Sequence, residues 1–204
     1  MAPVDLKKHL DSYAARRGEF RVLKVPVLRY LMIDGSGDPN TAESYADALA
    51  TLYPVAYALK FASKARGQDY VVPPLEALWW ADDMRTFTSA RDKSSWQWTA
   101  MLLVPEWVTD EAVAETITTV GETKQPPSIE LLRLESLTEG LCVQTLHIGP
   151  YDDEGPVLAE LHDRFLPDEG LELTGRHHEI YLSDPRRAAP EKLRTILRQP
   201  VERR

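Results

Sequence analysis

Leu75-Glu76-Ala77-Leu78-Trp79-Trp80 and, in the second half of the chain, His178-Glu179-Ile180-Tyr181-Leu182 each place one glutamate inside an apolar, aromatic run of strand character. A charge in such a run is costly unless something pairs with it. Each run follows the same kind of approach. The first passes from Leu31-Met32-Ile33 through Asp34-Gly35-Ser36-Gly37-Asp38-Pro39 into a helix-like stretch. The second passes from Leu146-His147-Ile148 through Gly149-Pro150-Tyr151-Asp152 into another. The repetition predicts two equivalent units and sets Glu76 and Glu179 on facing walls of one cavity.

Outward from these runs, the order of elements predicts a mixed α+β fold with strand–helix–strand units used twice. Leu6, Leu10 and Tyr13 recur at helical spacing over 5–17, and Gly18 ends that helix. The stretch 20–33 is extended. A helix opens near Thr41, is kinked or interrupted at Pro54 and resumes to Lys64. Strands follow over 70–80 and 96–104. Thr109 caps a helix over 110–124 with acids in its first turn, as the helix dipole prefers. Pro126-Pro127 marks the boundary between a first repeat of about 20–125 and a second of about 128–204 in one domain spanning 1–204. In the second repeat, strands are expected over 129–137, 141–148, 180–182 and 195–201. A helix is expected over 154–165, a loop over 171–175 and a helical turn over 190–193.

The chain has 204 residues, a net charge of −8 and one cysteine. The acidic surface disfavours nucleic acid, which needs clustered Lys and Arg, and favours cationic or neutral partners. Cys142 lies in an apolar run and reads as inert packing, so no disulfide or Cys-based zinc site is expected. No apolar stretch is long enough for a membrane helix, and the amino terminus lacks signal-peptide regions; a cytoplasmic protein is expected. There is no His-Glu-x-x-His pattern and no Gly-x-Ser-x-Gly elbow, and Gly35-Ser36-Gly37 reads as a turn rather than a phosphate loop. Neither a metal nor an organic cofactor is expected.

Strand alternation puts Glu76 on one face with Leu78 and Trp80, and Glu179 on one face with His177 and Tyr181. Desolvation and a second nearby carboxylate would both raise a carboxyl pKa there. Such acids can hold a cation or activate water. The competing reading leaves both in solvent or paired with Arg85, Arg91 or Arg176. Five Trp and eight Tyr supply walls for a planar or cationic small molecule, and Trp80, Trp98, Tyr151 and Tyr181 are the candidate contacts. His177 and His178 project to opposite faces, so they cannot share a metal. His178 or His177 is instead a hydrogen-bond partner for a neighbouring acid.

The segments quoted above, with Trp96-Gln97-Trp98 through Pro105 and Glu179-Ile180-Tyr181-Leu182-Ser183-Asp184-Pro185, resemble the GyrI-like small-molecule-binding domain over about 26–201. The resemblance implies two pseudo-symmetric β-α-β-β units around a central ligand cleft, with Glu179 as the acid at the pocket floor. The Leu75–Trp80 pattern resembles a stand-alone branch of enzymes that hydrolyse cyclopropane-bearing genotoxic natural products. On that reading Glu76 and Glu179 are catalytic, and Trp80, Trp98, Tyr151, Tyr181 and His178 bind substrate. Only one short helix precedes Pro26, so no helix-turn-helix is expected. The alternatives are a non-catalytic binder of hydrophobic or cationic drugs and, more weakly, a topoisomerase inhibitor. The oligomeric state is not legible.

Overall fold

The structure, a computed structural model, describes residues 2–82 and 92–204. Their strands are β1 (Arg21–Val25), β2 (Leu28–Ser36), β3 (Leu75–Trp80), β4 (Gln97–Val104), β5 (Arg133–Leu137), β6 (Gly140–Ile148), β7 (Leu171–Leu173), β8 (His177–Tyr181) and β9 (Arg194–Arg203). They form one antiparallel sheet in the order β1-β6-β9-β8-β3-β4-β2-β5, with β7 added to β9. The units β2-α2-β3-β4 and β6-α4-β8-β9, where α2 is Glu43–Ala65 and α4 is Gly155–Glu160, meet at the β3·β8 pair. This is the expected pair of pseudo-symmetric β-α-β-β units. Each half also sends a strand across, since β1 pairs with β6 and β5 with β2.

Both helices lie on one face of the sheet. Leu52, Val55 and Leu59 of α2 pack with Leu31, Ile33, Ala77, Ala100 and Leu102, and α3 (Asp110–Lys124) joins them through Val113 and Val120. Full burial of one such aliphatic side chain stabilises the fold by about 1.5–3 kcal/mol. Leu161 and Leu166, beyond α4, cover Val143 and Val201 on the same face. The opposite face carries a second core of Tyr13, Tyr30, Met32, Leu78, Met101, Ile180 and Ile196.

Several elements depart from the sequence expectation. Thr109 does cap α3, accepting from the Ala112 amide. The first helix is shorter: α1 is Leu6–His9, and Asp11–Tyr13 is a 3-10 turn. Leu10 is extended there because tertiary bonds to Ser12, Tyr13 and Ala14 pull the chain onto the sheet. Helix α2 runs through Pro54 without a break and starts after Ala42, which has no side-chain cap. Ile129–Leu131 is a 3-10 turn ahead of β5, and Leu171–Leu173 is a strand rather than a loop.

Gly35 is not a turn residue. It sits in β2 opposite Trp98, and a Cβ placed on it would come within 2.2 Å of the indole ring. The glycine makes room for a fully buried Trp98. Gly35→Ala is therefore expected to destabilise by about 1–3 kcal/mol through overpacking. Thermal denaturation checks this; an unchanged melting temperature would mean the indole is free to shift.

Candidate functional site

Between α2 and α4, over the centre of the sheet, lies an open cavity of about 1100 Å³. That volume suits a drug-sized ligand, and such clefts are usually aromatic with a few convergent polar groups. Tyr45 of α2, Trp79 of β3 and Trp96 supply walls, and Tyr151 and Tyr181 stand over the second half. Tyr151 meets Tyr181 edge-on at 5.5 Å, and Trp96 meets Trp79 edge-on at 5.7 Å. Tyr53 and Tyr57 extend the aromatic surface along α2 toward solvent.

Two carboxyls share the floor. Glu179 projects from β8, and the Tyr181 hydroxyl donates to its Oε2 at 2.6 Å. Trp79 Nε1 donates in turn to that hydroxyl at 3.0 Å, which fixes its orientation. Glu154, at the head of α4 and only 5% exposed, lines the same cavity beside Glu179. Burial first, and then the Glu179 charge beside it, push the Glu154 carboxyl well above the ordinary 4.5. Two buried carboxyls set side by side resist ionising together. Among the described residues neither Glu154 Oε1 nor the Thr195 hydroxyl has a hydrogen-bond partner. The floor thus offers two carboxyls, a tyrosine hydroxyl and unsatisfied polar atoms.

The facing arrangement of Glu76 and Glu179 is corrected. In the antiparallel β3·β8 pair Ala77 stands opposite Glu179, and Glu76 stands opposite Ile180, so Glu76, expected as a catalytic acid, lies outside the cavity. Cross-strand partners share a face, so the two glutamates lie on opposite faces of the sheet. Glu76 is fully buried away from the cavity. It accepts from the hydroxyls of Tyr13 and, at 3.2 Å, Tyr30, and it meets His178 Nε2 at 3.0 Å. His178 Nδ1 meets Glu139 Oε1 at 2.9 Å, and Arg198 donates to Glu139 Oε2 at 2.8 Å. Arg198 also donates to Gln144 and to the Ser12 carbonyl. Burial opposes both charges, yet His178 and Arg198 carry the Glu139 carboxyl down to about 2, while Glu139 and Glu76 hold His178 above its ordinary value. An imidazolium that donates on both sides fits this geometry. The network clamps the amino-terminal segment to the back of the sheet.

Of the other residues picked from sequence, Tyr151 and Tyr181 line the cavity with Glu179, as does Trp79, which was not picked. His178 bonds an acid, but on the back face. Trp80 is also on that face, donating to Gln97 Oε1 at 3.0 Å beneath the Arg176 guanidinium, 3.5 Å from its ring centre. Trp98 lies on the cavity side but fully buried under α2, with Tyr45 edge-on at 4.9 Å. Arg85 and Arg91 lie outside the described residues. Cys142 is buried, and burial first, then Glu139, push its thiol up to about 12, so it is a poor nucleophile. Glu154 was missed. An acid opening a helix reads as a dipole partner, and only its spacing from Tyr151 hinted at the cavity. Among the described residues no cluster of His, Cys, Asp or Glu is set to hold a metal, and no helix is long and apolar enough to cross a membrane.

A two-unit sheet with an aromatic cleft and acids at its floor defines a small-molecule-binding domain. The chain belongs to the GyrI-like family: the model described as the GyrI-like small molecule binding domain matches residues 18–202. An uncharacterized conserved protein from Listeria innocua is 39% identical, with a TM-score of 0.88 over 98% of this chain and 100% of that one. A hydrolase from Listeria innocua is 38% identical, with a TM-score of 0.84 over the same shares, 98% and 100%. The EcmrR C-terminal domain, 13% identical with a TM-score of 0.56 over 91% of this chain and 98% of that one, shares the fold. No curated protein matches the chain.

Proposed function

We propose that the protein is a cofactor-independent hydrolase that opens a cyclopropane ring conjugated to a carbonyl in a planar, hydrophobic substrate. The observation that carries this is the pair of carboxyls, Glu154 and Glu179, at the floor of an aromatic cavity, with the Tyr181 hydroxyl donating to Glu179. The likeness to a Listeria innocua hydrolase supports it, as does the Leu75–Trp80 pattern.

Glu179, oriented by Tyr181, takes a proton from water while the water oxygen bonds to a ring carbon. The strained C–C bond breaks, and its electron pair moves through the conjugated system to the carbonyl oxygen. Glu154 donates its proton to that oxygen, giving the ring-opened alcohol. The proton now on Glu179 passes to the neighbouring Glu154, so the pair resets itself. Tyr151, Trp79 and Trp96 hold the planar part of the substrate, and ring strain drives the reaction.

Incubation with a duocarmycin-type compound, followed by mass spectrometry in H2 18O, tests this. The expected product is the substrate plus one labelled water, formed many times per protein. Tryptophan quenching without any product would leave a binding protein and end the hydrolase reading.

A further inference from the structure

Behind Glu179 stands an imidazole with nothing to do in the fold. His177 is two residues back on β8 and on the same face, and it is 9% exposed. Among the described residues neither of its ring nitrogens has a hydrogen-bond partner. Burying an unpaired donor costs about 1–3 kcal/mol, so a folded protein keeps one only where something else gains. Its Nε2 lies 3.5 Å from Glu179 Oε1. The other oxygen, Oε2, is taken by Tyr181. A shift of about half an ångström closes the gap to hydrogen-bond length, and catalytic contacts are often long before substrate binds.

The far side of His177 is built to keep that contact available. The helix that carries Glu154 continues into a π turn, Leu161–Phe165, and wider turns of this kind are frequent at functional sites. The turn brings His162 close enough to interact with His177, and His162 Nε2 also lacks a partner among the described residues. Burial first, then His177, lower the His162 imidazole, while Asp163 raises it; it stays neutral near pH 7 and does not compete for a proton. Glu179 on its own strand and His162 in the turn beyond α4 are thus titratable neighbours of His177.

We propose that His177 is the positioning residue that decides which member of the Glu154–Glu179 pair keeps the proton. Its Nε2–H donates to Glu179 Oε1, so both oxygens of Glu179 are held by donors and Glu179 stays the base. The proton is thereby left on Glu154, which is the acid. Without His177 the two carboxyls become nearly equivalent, and each spends part of its time in the wrong role. This role presupposes the pair as the reactive centre, but it can be read without turnover.

The test uses His177→Gln, which puts an amide nitrogen near the Nε2 position, against His177→Asn, whose amide reaches only the Nδ1 position, and His177→Leu. Infrared titration of the buried carboxyl of the ligand-free protein is the first readout. The acid limb of the kcat–pH profile is the second. In the Asn and Leu variants both readouts are expected to move up by about one pH unit, the size of one lost hydrogen bond to a charged group. The Gln variant is expected to stay with the wild type. Identical titrations in all four proteins, or equal shifts in all three variants, overturn the proposal, the second outcome because it reports packing alone. If the infrared pattern holds while the duocarmycin-type compound is left intact, the positioning role stands and the hydrolase reading falls. If the compound is turned over without the infrared pattern, the hydrolase reading stands and the positioning role falls.

Discussion

Under the proposed mechanism Glu179→Gln is expected to lower turnover by about a thousandfold and Glu154→Gln by a comparable factor, but only Glu154→Gln is expected to make the protein more stable at pH 7. The activity losses follow from the roles. Glutamine cannot take a proton from water at position 179, and at 154 it cannot deliver one to the carbonyl oxygen that receives the electron pair. The stability difference follows from linkage. Burial and then the Glu179 charge raise the Glu154 carboxyl above 4.5 in the folded state. Below 4.5 the group is protonated whether the chain is folded or not, and nothing is lost. Above 4.5 the unfolded chain ionises freely while the folded one resists, so stability falls as pH rises toward the raised value. Glu154→Gln removes that penalty, for a gain of about 1 kcal/mol or more at pH 7 that shrinks toward zero near pH 4. Urea denaturation of wild type and both variants at the two pH values measures it. A Glu154→Gln protein that is less stable at pH 7 would falsify the upward shift of the Glu154 carboxyl.

This trade-off separates the two acidic positions of the chain, which the sequence made look alike. The β-α-β-β repeat, the capped helix after Thr109 and the strand over 97–104 were legible because periodicity and caps are local. The match between Glu76 and Glu179 was one residue out of phase. A pseudo-twofold normal to the sheet keeps each unit's cavity face on the same side, so Glu179 corresponds to the odd positions Leu75, Ala77 and Trp79. A slip of one residue in a strand exchanges its faces, and motif similarity does not sense it. The aromatic at Trp79 was therefore passed over for Trp80. Glu154 was obscure for another reason: it meets β8 at Glu179, a neighbour far away in sequence. The amino-terminal helix shortened because Tyr13 has a better partner in Glu76 than in its own turn.

Glu76 keeps its importance in a different role, and breaking its network is expected to have the largest effect on folding. Glu139→Gln and Arg198→Met should each destabilise by about 3–5 kcal/mol, because each leaves a buried charge without its partner. The Glu139 shift gives a figure in the same range: a carboxyl held at about 2 instead of 4.5 corresponds to about 3 kcal/mol. Arg198→Met also frees Gln144 and the Ser12 carbonyl, so hydrogen exchange should rise over 11–16 before the rest of the sheet opens. The pH dependence has two limbs of opposite sign. Glu139 is depressed, so its contribution is complete above 4.5 and is lost as pH falls toward 2. His178 is raised, so its contribution is complete below 6.5 and is lost as pH climbs through the raised value. The network is therefore strongest between about 4.5 and 6.5. Denaturation of wild type and Glu139→Gln across that range should show their difference greatest inside the window. A difference below about 1 kcal/mol there would mean that solvent reaches Glu139 and that the clamp contributes no more than a surface ion pair does.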